Sequence, residues 1–171
     1  MPASTHTSSE RSTQRSTAAA KAVDATKLLS ADHKEVKKLF KEYDKLAKGE
    51  GTGEEKQAIA EQICSMLTVH ATIEEEIFYP AAREAMDEQD LLDEAEVEHT
   101  SAKDLIAQIR GMSPDDELYD AKVKVLGEYI DHHVQEEEKE LFPKLRKADL
   151  DLKEIGTALE ARKQQLMGEM V

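Results

Sequence analysis

Residues 70–80 read HATIEEEIFYP and residues 133–143 read HVQEEEKELFP; laid over each other without a gap, they share a histidine, two consecutive glutamates and a proline at equal offsets. Upstream of each copy stands a second match, Asp32-His33 in DHKEVKKLF against Glu98-His99 in EHTSAKDLI. An internal repeat constrains a chain strongly, because both copies must find the same local structure and bury the same face. His33 precedes His70 by 37 residues and His99 precedes His133 by 34. In a helical hairpin, such separations set both members of a pair at similar height, each some 25 Å from the turn at about 1.5 Å per residue.

Apolar spacing supports the helical reading. From Asp24, a suitable N-cap, Leu29, Val36, Leu39, Phe40, Tyr43 and Leu46 recur at three- and four-residue steps until Gly49, Gly51 and Gly53. A second stripe runs through Ile59, Ile63, Met66, Leu67, Ile73, Ile77 and Phe78, with Pro80 marking a kink or the end of its regular part. The third takes Leu91, Leu92, Ala95, Ala102, Leu105, Ile106 and Ile109 and ends at Gly111. Ser113-Pro114-Asp115-Asp116 then offers a cap, a proline for the first turn and acids for the positive end of the dipole. It predicts the start of a fourth helix, whose stripe is Leu118, Ala121, Val125, Leu126, Tyr129, Ile130, Leu141 and Phe142. After Pro143 a shorter fifth helix is expected at about 151–168, with Leu152, Ile155, Leu159 and Leu166 on one side. About half of the chain is Ala, Glu, Lys, Leu and Arg, and Gly plus Pro number only 11, which leaves little material for strands and hairpins. The expected fold is all-α: an up-down-up-down four-helix bundle with a short C-terminal helix.

Residues 1–23 are rich in Ser, Thr and Ala and nearly devoid of large apolar side chains, so they read as a disordered polar tail; His6 has no expected role there. The tail's acid-poor, Ser/Arg-containing character also suits an organelle transit peptide. Residues 24–171 are expected to form the domain. A net charge of −14 opposes nucleic acid and anionic membranes as partners, and no apolar run approaches the length of a spanning helix. The expected location is cytoplasmic. Cys64 is the only cysteine, which excludes an intramolecular disulfide and any cysteine-based zinc cluster. A metal would need histidine and carboxylate.

Those donors lie within the apolar stripes. His33 follows Leu29 by four, His70 follows Leu67 by three, His99 follows Ala95 by four and His133 follows Tyr129 by four. Glu74 and Glu137 come one turn after His70 and His133, on the same face. An uncompensated inward carboxylate costs several kcal/mol, so two at equivalent positions call for cations. Imidazole and carboxylate without thiolate suit iron or manganese. By spacing, His33 with His70 serves one ion, His99 with His133 the other, and Glu74 and Glu137 bridge. Asp32 and Glu98 are candidate hydrogen-bond acceptors around the site, although adjacency to a histidine on a helix turns each about 100° away. The gapless alignment selects His133 over its neighbour His132, and Glu75, Glu76, Glu136 and Glu138 read as a solvated face, with a metal-ligand role for one of them as the alternative. Tyr129, one turn before His133, reads as core packing, with a hydrogen bond to a bound ligand as the alternative. Tyr43 reads as core.

The sequence Asp-His, His-x-x-x-Glu-Glu, Glu-His, His-x-x-x-Glu-Glu on four successive helices resembles the hemerythrin-like HHE cation-binding family over roughly residues 24–168. The resemblance implies a four-helix bundle with a non-haem di-iron centre held by His33, His70, Glu74, His99, His133 and Glu137. Oxygen-carrying hemerythrins place a fifth histidine four residues after the third-helix ligand and an aspartate five residues after the fourth-helix histidine. Lys103 and Glu138 stand there in this chain. Reversible oxygen carriage is therefore replaced by binding or sensing of oxygen, nitric oxide or iron as the leading expectation. A peroxide-decomposing di-iron enzyme and a metal-free helical interaction module are the alternatives.

Overall fold

The computed structural model describes residues 23–49, 51–87 and 89–170, so the expected tail at 1–23 lies outside them except for Val23. Helix α1 (Ala25–Lys48) starts where Asp24 accepts a bond from the Lys27 amide, and it stops at Gly49. Helix α2 (Gly53–Ile73) starts with a capping box, the Thr52 side chain accepting from the Glu55 amide while Glu55 reaches back to Thr52. It runs into a π turn, π1 (Glu74–Phe78), and continues as α3 (Tyr79–Ala85). Helix α4 (Asp90–Arg110) ends at Gly111. Helix α5 (Tyr119–Glu136), a second π turn π2 (Glu137–Leu141) and α6 (Phe142–Lys147) repeat the second long rod. Helix α7 (Leu152–Glu169), capped by Asp151, lies against α1, α2 and π1. No strand occurs among the described residues, and the four rods form the expected bundle.

Pro80 and Pro143 do not end their rods. Each sits at the second residue of a helix that follows a π turn, and the Tyr79 and Phe142 amides donate to the carbonyls of Glu74 and Glu137, five residues back. Proline has no N–H for the α-helical ladder and its ring crowds the carbonyl four residues earlier; a wider turn accommodates both. The fourth rod also begins later than expected. Ser113 and Asp116 close a turn, with the Ser113 amide donating to Asp116 and the Asp116 amide to the Ser113 carbonyl, but regular helix starts only at Tyr119. Tyr119 and Val123 enter the core in place of Leu118, which is exposed, because the turn resets the helical phase before the first full turn.

The interior is divided. One apolar cluster holds Leu29, Ile73, Phe78, Tyr79, Phe142 and Leu159; the other holds Val36, Tyr43, Leu67, Ile106, Tyr119 and Leu126. Between them in sequence on every rod lies a histidine, and at that level the bundle is polar.

Candidate metal centre

His33, His70, His99, His133, Glu74 and Glu137 are all buried, the two glutamates at 0% and 2% exposure. Glu74 Oε1 lies 3.0 Å from His70 Nε2 and 3.4 Å from His99 Nε2. Glu137 Oε1 lies 3.2 Å from His33 Nε2 and 3.4 Å from His133 Nε2. Each carboxylate thus touches one histidine from either hairpin. Two groups of donor atoms close enough to share an ion result: His33, His70 and Glu137, and Glu74, His99 and His133.

Outer carboxylates orient the rings. Because a carboxylate only accepts, Nδ1–H donates from His70 to Asp32 at 3.0 Å, from His33 to Glu138 at 2.8 Å and from His133 to Glu98 at 3.2 Å. His99 Nδ1 stands 3.5 Å from Glu75 Oε2, and Lys103 Nζ holds the other Glu75 oxygen at 2.6 Å. The arrangement follows the repeat: Asp32 and Glu98 serve the histidine of the next rod, while Glu75 and Glu138 reach from the π turns to His99 and His33. With Nδ1 of His33, His70 and His133 bonded outward, their Nε2 atoms point into the layer, where His99 Nε2 also lies. His33 Nε2, His70 Nε2, both Glu74 oxygens and Glu137 Oε1 have no aligned hydrogen-bond donor or acceptor despite these short approaches. Buried donor atoms that converge with no aligned hydrogen bond are what a cation between them would satisfy, so the donor set fits a metal.

The electrostatics agree. Burial disfavours the charged His70 ring, but Glu74 and Asp32 outweigh it and push its pKa up to about 10. His133 is likewise raised, with burial opposed by Glu137 and Glu98. Glu137 is held well below the usual carboxylate range: burial pushes it up, while His133, Glu74 and His33 pull it further down. The same negative surroundings that bind a proton tightly bind a metal cation, which displaces it.

Tyr79 is a polar residue of the layer that sequence reasoning missed. Its hydroxyl donates to Glu137 Oε2 at 2.9 Å and lies 3.2 Å from both His99 Nε2 and His133 Nε2. Burial and the charges of Glu137 and Glu74 hold its pKa well above the ordinary phenol value. The repeat carries a usable signal, for Tyr79 aligns on Phe142, a hydroxyl facing a hydrogen at a buried position. Phe142 stacks flat beside His33, with centroids 5.9 Å apart. Tyr129, in contrast, is 49% exposed; it does not fill the core but lines the cavity beside the four histidines. Glu138, expected on a solvated face, instead holds the His33 ring, and Glu75 turns one oxygen towards His99 and the other to Lys103. Asp32 and Glu98 take the acceptor positions expected of them, reaching across to neighbouring rods.

Residues 24–145 match the family described as the hemerythrin HHE cation binding domain. The chain belongs to that family. A curated relative, a DNA nickase from Nostoc sp., is 33% identical over 125 residues; the match covers 70% of this chain but only 32% of the relative, so the chain spans about a third of that protein's length. Among solved structures, a hemerythrin HHE cation binding domain-containing protein from Mycobacterium kansasii is similar with a TM-score of 0.72 and 24% identity, covering 86% of this chain and 89% of its own. That likeness establishes the shared hemerythrin-like fold. Among the described residues, no helix is long and apolar enough to cross a membrane.

Proposed function

We propose that this HHE protein, with residues 24–171 as one unit, holds two iron ions and uses them to bind or sense oxygen, nitric oxide or iron itself. His33 and His70 would hold one ion and His99 and His133 the second, with Glu74 and Glu137 each reaching both pairs; manganese fits the same donors. The observation that carries this reading is that each buried carboxylate reaches a histidine of both pairs. Bound iron would supply coordination of a small ligand and redox chemistry within the layer.

The chain's own residues shape what can enter. A cavity of about 40 Å³, lined by Val36, Leu67, Ala102, Ile106 and Ile130, lies beside the four histidines. That is roughly three times the space one water needs, enough for a diatomic molecule or peroxide and too little for a larger substrate. Lys103 occupies the position of the extra histidine of the oxygen carriers and pairs with Glu75. The layer therefore has one nitrogen donor fewer than a carrier. Peroxide decomposition is the second reading, favoured by Tyr79, whose hydroxyl supplies a hydrogen-bond and proton donor at the His99 and His133 side. The net charge of −14 repels DNA, so the expected result with a supercoiled plasmid is no nicking by the iron-loaded chain.

Metal analysis with the optical spectrum, before and after oxygen, nitric oxide or peroxide, tests the reading. Two irons per chain with ligand-dependent bands in the near ultraviolet are expected. Well under one equivalent of iron, manganese or zinc after reconstitution would leave the metal-free interaction module standing instead. Oxygen evolution from peroxide, abolished in Glu74→Ala, would select the enzyme.

A further inference from the structure

Helix α7 lies beyond the part of the chain that matches the family, which ends at residue 145. It nevertheless reaches the layer. Lys163 Nζ lies 2.7 Å from Asp32 Oδ1, while the other oxygen of the same buried carboxylate accepts from His70 Nδ1 at 3.0 Å. One residue earlier, Arg162 grips Glu76 of π1 through two bonds, Nε to Oε2 at 2.8 Å and Nη2 to Oε1 at 3.2 Å. Leu159 is fully buried in the apolar cluster below the layer. Gly156 runs so close to the start of α1 that a Cβ there would sit 2.1 Å from the Val23 carbonyl oxygen and 2.9 Å from the Ala25 amide nitrogen. Helix α7 is therefore seated by a notch, an apolar plug and two charged contacts, and one of those contacts ends on the ring of a proposed ligand.

We propose that Lys163 is a positioning residue and that docking of α7 is thermodynamically coupled to metal binding at the His33 and His70 position. This rests on the two-ion reading above. The physical chain is short: Lys163 fixes Asp32, Asp32 fixes the tautomer and tilt of His70, and His70 presents Nε2 to the ion. When α7 lifts, Asp32 loses a charged partner and its grip on His70 loosens. Coupling is reciprocal, so an ion held at His70 stabilises the docked helix by the same factor that docking tightens the ion. The His99 and His133 position has no equivalent, because Glu98 and Glu75 take their partners from the bundle itself, His132 and Lys103.

The test uses the full chain, anaerobic Fe(II) titration against a competing chelator, and hydrogen exchange of the α7 amides. Lys163→Met removes the charge while keeping length and apolar contact. It should weaken one of the two ions by roughly 10–100-fold and leave the other unchanged, the range typical of lost support behind a metal-bound histidine. Lys163→Arg should restore most of the affinity. Gly156→Ala, which leaves every charge in place and pushes α7 away through backbone contact, should weaken the same ion and speed α7 exchange. In the unaltered chain, Fe(II) should slow α7 exchange, and Lys163→Met should abolish that slowing. If the unaltered chain binds two ions while both variants bind them equally well, or if α7 exchange is indifferent to Fe(II), the coupling is overturned and the two-ion reading stands. A chain that binds no iron or manganese overturns both.

Discussion

Removing metal should destabilise this protein by an amount set by the layer. Two fully buried donor groups are present among the described residues, and each ion that binds only the folded state adds about 2.7 kcal/mol when its free concentration is a hundred times its dissociation constant. Two ions therefore contribute roughly 5 kcal/mol under such loading. A domain of about 150 residues shifts by roughly 2–4 °C for each kcal/mol, so full chelation should lower Tm by roughly 10–20 °C. Calorimetry on reconstituted protein, with metal content measured on the same samples, gives the number. The double variant Glu74→Gln, Glu137→Gln supplies the control, since it deletes both fully buried charges and keeps the side-chain volume. Its Tm should be nearly independent of iron, and after chelation it should melt no lower than the chelated parent, because two neutral amides cost less to bury than two carboxylates. A parent Tm that moves by less than about 2 °C once its metal is gone would refute the argument, for the short approaches among these donors would then be satisfied by protons alone.

Three further outcomes follow from named residues. Tyr79→Phe, which makes the position identical to its repeat partner Phe142, should keep the metal content yet slow any peroxide consumption by at least about tenfold; equal rates would remove Tyr79 from the chemistry. Burial pushes the Cys64 thiol up to about 11, so at pH 8 roughly 0.1% is thiolate, against about a quarter of an ordinary cysteine, and prompt labelling of the native protein by iodoacetamide would contradict its place in the core. Burial raises the Asp120 carboxyl, but the Tyr43 hydroxyl at 2.6 Å and Lys56 at 2.9 Å outweigh it and hold it below the ordinary value. The stability this adds is present above about pH 3.9 and is lost as pH falls through the lowered pKa; Tyr43→Phe should flatten that acid limb in pH-dependent unfolding.

The six central donors were legible because they obey helical spacing twice over. His33, His70, His99 and His133 fall into apolar stripes, and Glu74 and Glu137 follow by one turn, so periodicity alone gathers them at one level. What periodicity could not show is what the π turns do. Counting at 3.6 residues per turn sends Glu75 and Glu138 towards solvent and passes over Tyr79; the wider turn brings the two glutamates to the rings of His99 and His33 and the phenol to Glu137. The only hint was a proline at the same place in both copies. The fourth rod failed differently, since Ser113 to Asp116 carries good capping chemistry yet closes a separate turn, and the burial of Tyr119 decides the helical phase that follows. The contact between Lys163 and Asp32 spans 131 residues and has no local signature at all.

The polar layer has a consequence for how this molecule comes apart. It separates two apolar clusters, each holding about half of the buried apolar side chains, and small cores hold their chains only marginally. Whether the two ends of the bundle melt together or in turn is then decided by the layer between them. Six buried donors, drawn from all four rods, act as the seam through which unfolding of one end is felt at the other, and cooperativity in this protein is a property of its charges before it is a property of its aliphatic packing.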